Sequence, residues 1–279
     1  MWKLILLAAA IGILLIGGIA YSRYRRAAAE AEAAMEALAA SPEAPGVIFD
    51  PGTLAGLPDI AQRYFRHAIR PGTRLGTKVR LSMKGTFLLG DKDSYQEYRM
   101  EARQVLAPPS EFVWIPRMRS GPMRISGSDA LVEGLAWTRF WMNGLIPVAD
   151  VRSSPDFVRS ALTRSAMEPF WVPASLLPAD GVSWEQTGPD TARLRFPTGI
   201  ESVDLTLDSE GRVTQFVTMR WSDANPDKVF RLQPFGGTSG REAEFGGFTI
   251  PSELKVGNHY GTDAYLPFFQ VRLTAAEYR

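Results

Sequence analysis

The sequence predicts an α+β fold that is mainly antiparallel β: a curved sheet or an incomplete barrel with covering helices, preceded by an amino-terminal transmembrane helix. Three observations predict this fold. The first is an uncharged apolar run from Leu4 to Ala20. The second is a series of short, turn-bounded runs with period-two alternation between Val79 and Thr274. The third is the small number of stretches with helical spacing, which argues against a doubly wound α/β fold.

Composition excludes several classes of function. The chain has 279 residues, of which 45% are hydrophobic and 22% charged, as in ordinary globular proteins. Its 31 basic and 30 acidic residues leave a net charge of +1, which provides no field to recruit nucleic acid. Because Cys is absent, disulfides, thiolate catalysis and Cys-held iron–sulfur clusters are excluded.

Residues 1–22 are predicted to form a transmembrane helix. The run from Leu4 to Ala20 carries no charge, and a helix that crosses the hydrocarbon core needs about 20 residues. Trp2 and Tyr21 lie at its two ends, where amphipathic rings favour the headgroup layer. The alternative is a cleaved signal peptide, because Gly18 and Ala20 are small residues at a suitable cleavage position.

Three further segments follow the apolar run. Residues 23–40 are rich in Ala, the best helix former, and are expected to continue the helix as a stalk. A plain spacer is the preferred interpretation of this stalk over a coiled-coil dimer, because no heptad of Leu or Ile is sustained. Residues 41–56 contain three Pro and three Gly, which predicts a linker. Residues 57–279 are expected to form one β-rich globular domain.

The domain is predicted to begin with a helix and to continue as an antiparallel meander. Leu57–Ile69 places apolar residues at helical spacing, with Asp59 in the first turn. A second helix is predicted over Pro155–Phe170, with Ser153 or Ser154 as its cap. The strands expected between the two helices begin at Val79 and continue with Tyr95–Leu106, Glu111–Met118 and Arg124–Gly134.

The second half of the domain returns to strands. Asp208–Gly211 and Gly246–Gly247 have the composition of tight hairpin turns. Eight or more strands with few helices between them predict a large sheet that curls or closes. The predicted strands are Val182–Gln186, Ala192–Phe196, Ser202–Leu207, Val213–Trp221, Val229–Leu232, Arg241–Phe245, Phe248–Lys255 and Phe268–Thr274.

The sequence carries none of the common signatures of catalysis. The phosphate-binding loop, the dinucleotide fingerprint, the serine-hydrolase elbow and the H-E-x-x-H zinc motif are missing. Of the two histidines, His67 is expected to be exposed or stabilised by a helix end, and His259 to lie in a polar loop. An enzyme would need His259, Asp263 or Glu253 in a polar cleft. We therefore predict no enzymatic activity, no cofactor and no metal site.

Large aromatic residues recur along the domain, and two interpretations are open. In the first, they fill an ordinary core beneath the helices. In the second, the concave face of the sheet holds an apolar cleft for a lipid-like ligand, which requires few polar groups. The candidate ligand-binding residues are Trp114, Trp137, Phe140, Trp141 and Trp171.

Six short motifs are spread along the domain: Arg63–Ile69, Phe112–Trp114, Gly144–Asp150, Trp171–Pro178, Gly181–Trp184 and Gly247–Pro251. Together they resemble an uncharacterised bacterial family, a domain of unknown function found in small membrane-anchored proteins. Its motifs look structural, and the resemblance implies no catalytic residue. A broader similarity is to the lipoprotein-sorting carriers of the bacterial envelope, which share a late G-x-x-I-P strand opening and whose incomplete barrels hold acyl chains beneath helices.

The leading hypothesis is a single-pass protein of the bacterial cell membrane whose domain binds an apolar or lipid-like ligand. Its partners would be the lipid bilayer, that ligand and another envelope protein. The alternative is a protein-interaction module with a filled core and an exposed edge strand or aromatic patch.

The side of the membrane follows less directly from the sequence. Arg23, Arg25 and Arg26 outnumber Lys3, which favours a cytoplasmic domain, but large domains translocate largely regardless of charge. The resemblance to envelope carriers implies an extracytoplasmic domain, and this is the location we expect.

Overall fold

The computed structural model describes residues 1–42, 46–178, 181–197 and 199–279. Within these ranges, the helices are α1 (Trp2–Ala40), α2 (Asp59–Ala68) and α3 (Pro155–Met167). The strands are β1 (Val79–Gly90), β2 (Tyr95–Ala107), β3 (Glu111–Ser120), β4 (Met123–Val132), β5 (Leu135–Met142), β6 (Ile146–Arg152), β7 (Ser183–Gln186), β8 (Thr191–Arg195), β9 (Val203–Leu207), β10 (Val213–Ser222), β11 (Arg231–Ser239), β12 (Glu242–Phe245), β13 (Phe248–Pro251), β14 (Glu253–Asn258) and β15 (Leu266–Tyr278).

Thirteen of these strands form one curved antiparallel sheet, and β12 and β13 form a separate hairpin. The strand order is β6-β5-β4-β3-β2-β1-β15-β14-β11-β10-β9-β8-β7. The last strand, β15, pairs with β1 and so joins the two halves of the chain, with Val79 opposite Tyr278. In the described residues no hydrogen-bonded ladder connects the edge strands β6 and β7, so the sheet is open. The predicted fold class is confirmed.

Two strands were missed by the sequence analysis. The β4–β5 turn is Glu133–Gly134 and the β5–β6 turn is Asn143–Gly144, and all four residues have positive φ angles. Two-residue turns of this kind match the twist of antiparallel strands. The predicted strand Arg124–Gly134 ends at the first of these turns, and no strand was predicted between Gly134 and Pro155, where β5 and β6 lie. The predicted strand Phe248–Lys255 is also divided at Ser252, which joins the hairpin to the main sheet: its N–H donates to Arg241 O at 2.7 Å, and its carbonyl accepts from Leu273 N of β15 at 2.8 Å.

One face of the sheet, the inner face, carries the main core and is covered by α2 and α3. Alternation along β3 places Phe112 and Trp114 on this face and Val113 on the opposite one. Ser154, one of the two predicted cap residues, caps the amino terminus of α3. Its Oγ accepts a hydrogen bond from Phe157 N at 3.2 Å.

The opposite, outer face of the sheet carries the carboxyl-terminal part of α1. Met35 and Leu38 are buried there against Val105, Val113 and Ala130. The segment that was expected to be a spacer is therefore packed on the domain. By length and composition α1 is able to cross a membrane, and its apolar amino-terminal part is not buried against any described residue.

Three ion pairs follow α1 along the outer face. Each joins a glutamate of the helix to an arginine of a different strand, and the Arg80 guanidinium lowers the pKa of Glu36 chiefly by hydrogen bonding. Such exposed pairs contribute little stability each, so the apolar contacts hold the helix and the charges set its position. The pairs are Glu30–Arg139 at 2.6 Å, Glu32–Arg103 at 2.5 Å and Glu36–Arg80 at 2.9 Å.

The packed unit also begins earlier than Leu57. Phe49 and Leu54, in the segment that was expected to be a linker, are buried in the main core. Asp50 starts a short 3-10 helix over Pro51–Leu54 by accepting a hydrogen bond from Gly52 N at 2.8 Å. Phe49 and Leu54 pack into the core on either side of this turn. The Pro and Gly residues therefore form a compact turn of the domain and not an extended linker.

Candidate ligand-binding site

A cavity of about 450 Å³ lies between the inner face of the sheet and the cover formed by α3 and the chain that follows it. Its volume is in the range of small-molecule sites, which is about 300–1,000 Å³. The walls are mostly apolar and aromatic. The main aromatic contributors are Phe87, Trp114, Phe140, Phe170, Trp171, Phe216, Phe235, Phe268 and Phe269.

The aromatic rings of the wall contact one another in edge-to-face and tilted pairs. Trp114 is central: its ring centroid lies 6.2 Å from that of Phe140 and 5.9 Å from that of Phe269. Phe87 lies 5.4 Å from Phe268. Such pairs stabilise one another beyond their buried area, so the wall is held in place without a ligand.

The cavity is closed at one end and open at the other. At the closed end Trp171 is 1% exposed, and its indole Nε1 donates to Pro251 O at 2.9 Å. At the open end Leu89 and Val148 are 39% and 46% exposed. Both belong to the wall, so the cavity reaches solvent between the end of β1 and the edge strand β6.

The open end coincides with the place where α1 leaves the sheet. In this antiparallel sheet β1 ends where β4 and β6 begin, and we call this the Tyr24 end. Tyr24 of α1 lies 5.8 Å from the Trp141 ring and accepts a hydrogen bond from Ser126 Oγ at 3.1 Å. Arg23 forms an ion pair with Asp150 at 3.3 Å. The cavity opening and the exit of α1 therefore share one end of the domain.

A cluster of charged residues forms part of the wall, beneath α3. The register aligns Gln104, Trp114, Asp129 and Thr138 in one row across β2 to β5. Arg164 of α3 projects onto this row and forms ion pairs with Asp129 and with Glu168, the latter at 3.2 Å. Its guanidinium carbon also lies 5.1 Å from the Trp114 ring centroid, within the range of a cation–π contact.

All four carboxylate oxygens of the cluster have partners. Asp129 Oδ1 accepts from Thr138 Oγ1 at 2.8 Å, and Oδ2 accepts from Arg164. Glu168 Oε1 accepts from Arg164 Nε at 3.2 Å, and Oε2 accepts from Gln104 Nε2. The burial of these groups is thus compensated by hydrogen bonds. The two opposing carboxylates raise the pKa of Arg164 despite its burial.

A second arginine of the wall, Arg220 of β10, has different contacts. Its Nε donates to Ser160 Oγ at 3.3 Å, and its guanidinium carbon lies 4.8 Å from the Phe235 ring centroid. No carboxylate among the described residues forms an ion pair with it. Burial, together with the nearby positive charge of Arg164, lowers the pKa of Arg220 to about 10, although Asp129, Glu168 and Asp223 oppose the shift.

Three further polar atoms beside the cluster are buried without a hydrogen-bond partner among the described residues. They are Trp114 Nε1, Gln104 Oε1 and Ser165 Oγ. Buried donors and acceptors are almost always satisfied in folded proteins, so this concentration is unusual. Trp114 belongs to the cavity wall itself.

The structure separates the five candidate ligand-binding residues into two groups. Trp114, Phe140 and Trp171 line the cavity. Trp137 and Trp141 do not, because alternation along β5 turns them to the outer face. There Trp137 Nε1 donates to Ser128 Oγ at 2.9 Å, and Trp141 contacts Tyr24. Recognising β5 as a strand would have separated the two groups.

Sequence reasoning missed the charged members of the wall. The sequence did contain a signal for two of them, Asp129 and Arg220. Each is a charged residue at an inward-facing position of a strand where the other inward-facing residues are mostly apolar. Asp129 lies between Ile125 and Leu131, and Arg220 follows Phe216 at inward positions of β10. A charge on the buried phase of a strand is costly unless it has a partner or a function.

Neither histidine lies in the cavity wall. His67 Nε2 contacts Glu242 Oε2 at 2.8 Å, so this half-buried side chain joins α2 to the β12–β13 hairpin. His259 has a φ of 60° in the β14–β15 loop, and its Nε2 lies 3.1 Å from Ala224 O. Asp263 is exposed in the same loop, and Glu253 lies on β14. None of these three residues lies in the wall of the cavity.

The fold and the cavity define an open, curved antiparallel sheet with an apolar chamber beneath a helical cover. Within that class, residues 47–271 match the model of a family of unknown function, DUF6544, and the chain belongs to this family. This confirms the resemblance to an uncharacterised family. Comparison with curated proteins gives no sequence match.

Three solved structures are similar to the chain at low sequence identity. A LolA superfamily protein from Nitrosomonas europaea is 12% identical, with a TM-score of 0.41 over 78% of this chain and 93% of that one. A domain named for outer membrane lipoprotein sorting, from Vibrio parahaemolyticus, is 9% identical, with a TM-score of 0.39 over 79% and 91%. A DUF1329 family protein from Desulfovibrio piger is 8% identical, with a TM-score of 0.40 over 79% and 90%.

Proposed function

We propose that this protein is a single-pass membrane protein that binds an apolar or lipid-like ligand in its cavity, directly at the bilayer surface. The observation that carries the proposal is the shared position of the cavity opening and the exit of α1, at the Tyr24 end. Tyr24 lies only two residues beyond the predicted span of residues 1–22, which is about 3 Å along a helix. A ligand could pass between bilayer and cavity without crossing much water.

The surface around the opening supports this arrangement. Loops at the Tyr24 end expose apolar side chains that are suited to the headgroup–acyl boundary rather than to water. Leu145 and Ile146 follow the β5–β6 turn, and Val229 and Leu232 flank the start of β11. The domain would therefore rest on the membrane with its opening downward.

The wall of the cavity supports an apolar ligand. Burial of each methylene group from water contributes about 0.8 kcal/mol, and the aromatic wall offers such burial along the whole cavity. Trp114, Phe140 and Trp171 are the proposed contact residues among those selected from the sequence. Trp137 and Trp141 are instead proposed to hold the sheet against α1.

Lipid extraction tests the proposal. The full-length protein, purified from bacterial membranes, is extracted with organic solvent and analysed by mass spectrometry. We expect a lipid to co-purify with the wild type and to be depleted in Ala149→Trp, which adds a bulky ring to the cavity wall. Val151→Trp is the matched control, because Val151 is exposed on the same strand and lies outside the wall. Equal lipid in all three proteins, or none in the wild type, would refute the proposal.

The expected extracytoplasmic location is part of the proposal, and a reporter tests it. An alkaline phosphatase fusion at the carboxyl terminus is active only outside the cytoplasm. An inactive fusion that is stably made would place the domain on the cytoplasmic side, and the cavity would then serve the inner leaflet.

A protein-interaction module is the second candidate, and β6 is the observation that favours it. This edge strand is exposed along most of its length, including Ile146, Val148 and Val151, and an open edge can pair with another chain. The filled core that this alternative predicted is not found in the described residues, because the cavity is present. Val151→Lys should abolish a cross-linked partner if the edge binds one.

A further inference from the structure

The cavity wall contains a strong cation, Arg220, that forms no ion pair with a carboxylate of the described residues. Arg164 takes two of the four carboxylate oxygens of Asp129 and Glu168, and Thr138 and Gln104 take the other two. Arg220 receives none of them. The two arginines and two carboxylates have a net charge of zero, but both carboxylates pair with Arg164. The positive charge of Arg220 is therefore not neutralised by either of them.

The hydrogen-bonding capacity of Arg220 is also unused. Its Nε donates to Ser160 Oγ, whereas neither Nη1 nor Nη2 donates to any described residue. A guanidinium offers five N–H donors in a fork that matches a carboxylate or a phosphate. The fork of Arg220 forms part of the cavity wall.

Filling the cavity with a neutral ligand would make this arrangement worse. An apolar chain against Arg220 would remove water from a charge that has no counter-ion, which is costly. An anion at the same place would compensate the charge through strong, charge-assisted hydrogen bonds. The unpartnered indole N–H of Trp114, in the same wall, offers one more donor to an acceptor group.

We propose that Arg220 binds the acid group of the ligand, so that the cavity takes an acidic amphiphile: an apolar chain among the aromatic rings and a carboxylate or phosphate on the guanidinium. This inference rests on the proposed function, since it names the chemical class of the ligand for the same cavity. Arg164, which is already neutralised by two carboxylates, acts as a positioning residue that holds the wall around it.

A headgroup-by-variant comparison tests the inference. Full-length protein is placed in nanodiscs of phosphatidylcholine, and the neutral fluorophore N-phenyl-1-naphthylamine reports occupancy of the cavity. Decanoate, decyl phosphate and decanol, which share one chain length, are used as competitors. Each is measured with the wild type, Arg220→Met and Arg220→Lys, and with Arg212→Met as a control that removes an exposed arginine outside the wall, at the opposite end of the sheet from the opening. Empty nanodiscs measure how much of each competitor partitions into the bilayer. This contribution is the same for every variant, so it cancels when variants are compared with one competitor.

We expect Arg220→Met to weaken an acidic competitor about 10- to 100-fold, the loss of a hydrogen-bonded charge pair, and to leave decanol unchanged or bound more tightly. Arg220→Lys should lose less, because it keeps the charge and loses the fork. Arg212→Met should match the wild type. Whichever of decanoate and decyl phosphate shows the larger loss identifies the acid group.

The outcomes separate the two proposals. If the fluorophore does not bind, or no competitor displaces it, the proposed function fails. If each competitor binds the wild type and Arg220→Met with the same affinity, the cavity binds apolar ligands but the assignment of Arg220 is overturned. A loss for decanol as large as that for the acids overturns the assignment as well, because it would reflect damage to the cavity.

Discussion

Ser126 Oγ donates a hydrogen bond to the hydroxyl of Tyr24 over 3.1 Å, which joins the start of β4 to a helix 102 residues earlier in the chain. Tyr24 follows the predicted membrane span almost immediately. A Cβ added at Gly144 would lie 3.2 Å from the Tyr24 ring, so the β5–β6 turn also lies against this part of α1. The helix therefore contacts the domain within two residues of the predicted span, at the same end of the domain as the cavity opening.

Packing of the helix on the outer face gives the first prediction. Met35 of α1 is fully buried against the outer face, so Met35→Ala should lower the free energy of unfolding by about 2–5 kcal/mol. Denaturant titration of the full-length protein, followed by Trp fluorescence, measures this change. Ala37→Ser, at an exposed position of the same helix, should change it by less than about 1 kcal/mol. Equal stability of Met35→Ala and the wild type would mean that residues 23–40 are a free spacer.

The two arginines of the cavity should respond oppositely to the same substitution. Arg164→Met leaves Asp129 and Glu168 as buried carboxylates without their counter-ion, and should cost about 3–5 kcal/mol of stability. Arg220→Met removes an unpaired charge from an apolar wall, so the ligand-free protein should be equally stable or more stable. Thermal unfolding after lipid removal compares them. A large loss in Arg220→Met would indicate that Arg220 has a structural role in the free protein.

A similar contrast is expected for two tryptophans of the wall. Trp171→Phe leaves the carbonyl of Pro251 without its donor, whereas Trp114→Phe removes an indole N–H that has no partner among the described residues. Because both substitutions remove a similar volume, their difference isolates the hydrogen bond. We expect Trp171→Phe to be less stable than Trp114→Phe by about 1–3 kcal/mol. The reverse order in denaturant titrations would contradict the hydrogen-bond assignment.

The sequence was sufficient for the fold class because alternation and turn composition are local signals. The caps and turns at Ser154, Asp208–Gly211 and Gly246–Gly247 were all readable from neighbouring residues. The packing of α1 on the sheet could not be predicted in this way. An Ala-rich helix with Met35 and Leu38 on one face has the same local sequence pattern whether it is a free spacer or is packed on a sheet. Only the strands opposite it, which provide Val105 and Val113, decide between the two.

The candidate site was predictable only in part, for a similar reason. Trp114 and Trp171 could be selected by residue type alone. The ion pair between Arg164 and Asp129 joins a helix to a strand 35 residues away, and the isolation of Arg220 depends on the direction in which the described carboxylates near it point. No spacing in the sequence encodes either. What the sequence did contain was a charge among inward-facing apolar residues of β4 and of β10.

The lowered pKa of Arg220 predicts proton uptake on binding of an acidic ligand. Because the folded protein holds this pKa at about 10, below the usual value of an arginine, Arg220 is partly deprotonated near pH 10 and fully charged at pH 7. A bound anion raises the pKa, so binding near pH 10 should take up about half a proton and binding at pH 7 none. Calorimetry of decanoate in buffers of different ionisation enthalpy measures the uptake.

The control for proton uptake is Arg220→Met, which should show none at either pH. In the ligand-free protein the same shift makes stability rise with pH from about 10, because the unfolded chain keeps its proton to higher pH than the folded one. Equal uptake in the wild type and in Arg220→Met would assign the titration to another group.

The last prediction concerns the anchor, on which the position of the cavity at the bilayer depends. Leu14 lies near the centre of the predicted span, and Leu14→Arg should disfavour insertion by about 2.5–3.5 kcal/mol. Because Leu14 is exposed and contributes nothing to either core cluster, the domain should unfold at the same denaturant concentration as the wild type. Membrane fractionation is therefore expected to find folded protein displaced from the membrane. Ala29→Arg, on an exposed position of α1 beyond the span, should remain membrane-bound. If the mature wild-type protein begins at Tyr21 and is soluble, the apolar segment is a signal peptide and the anchored arrangement is wrong.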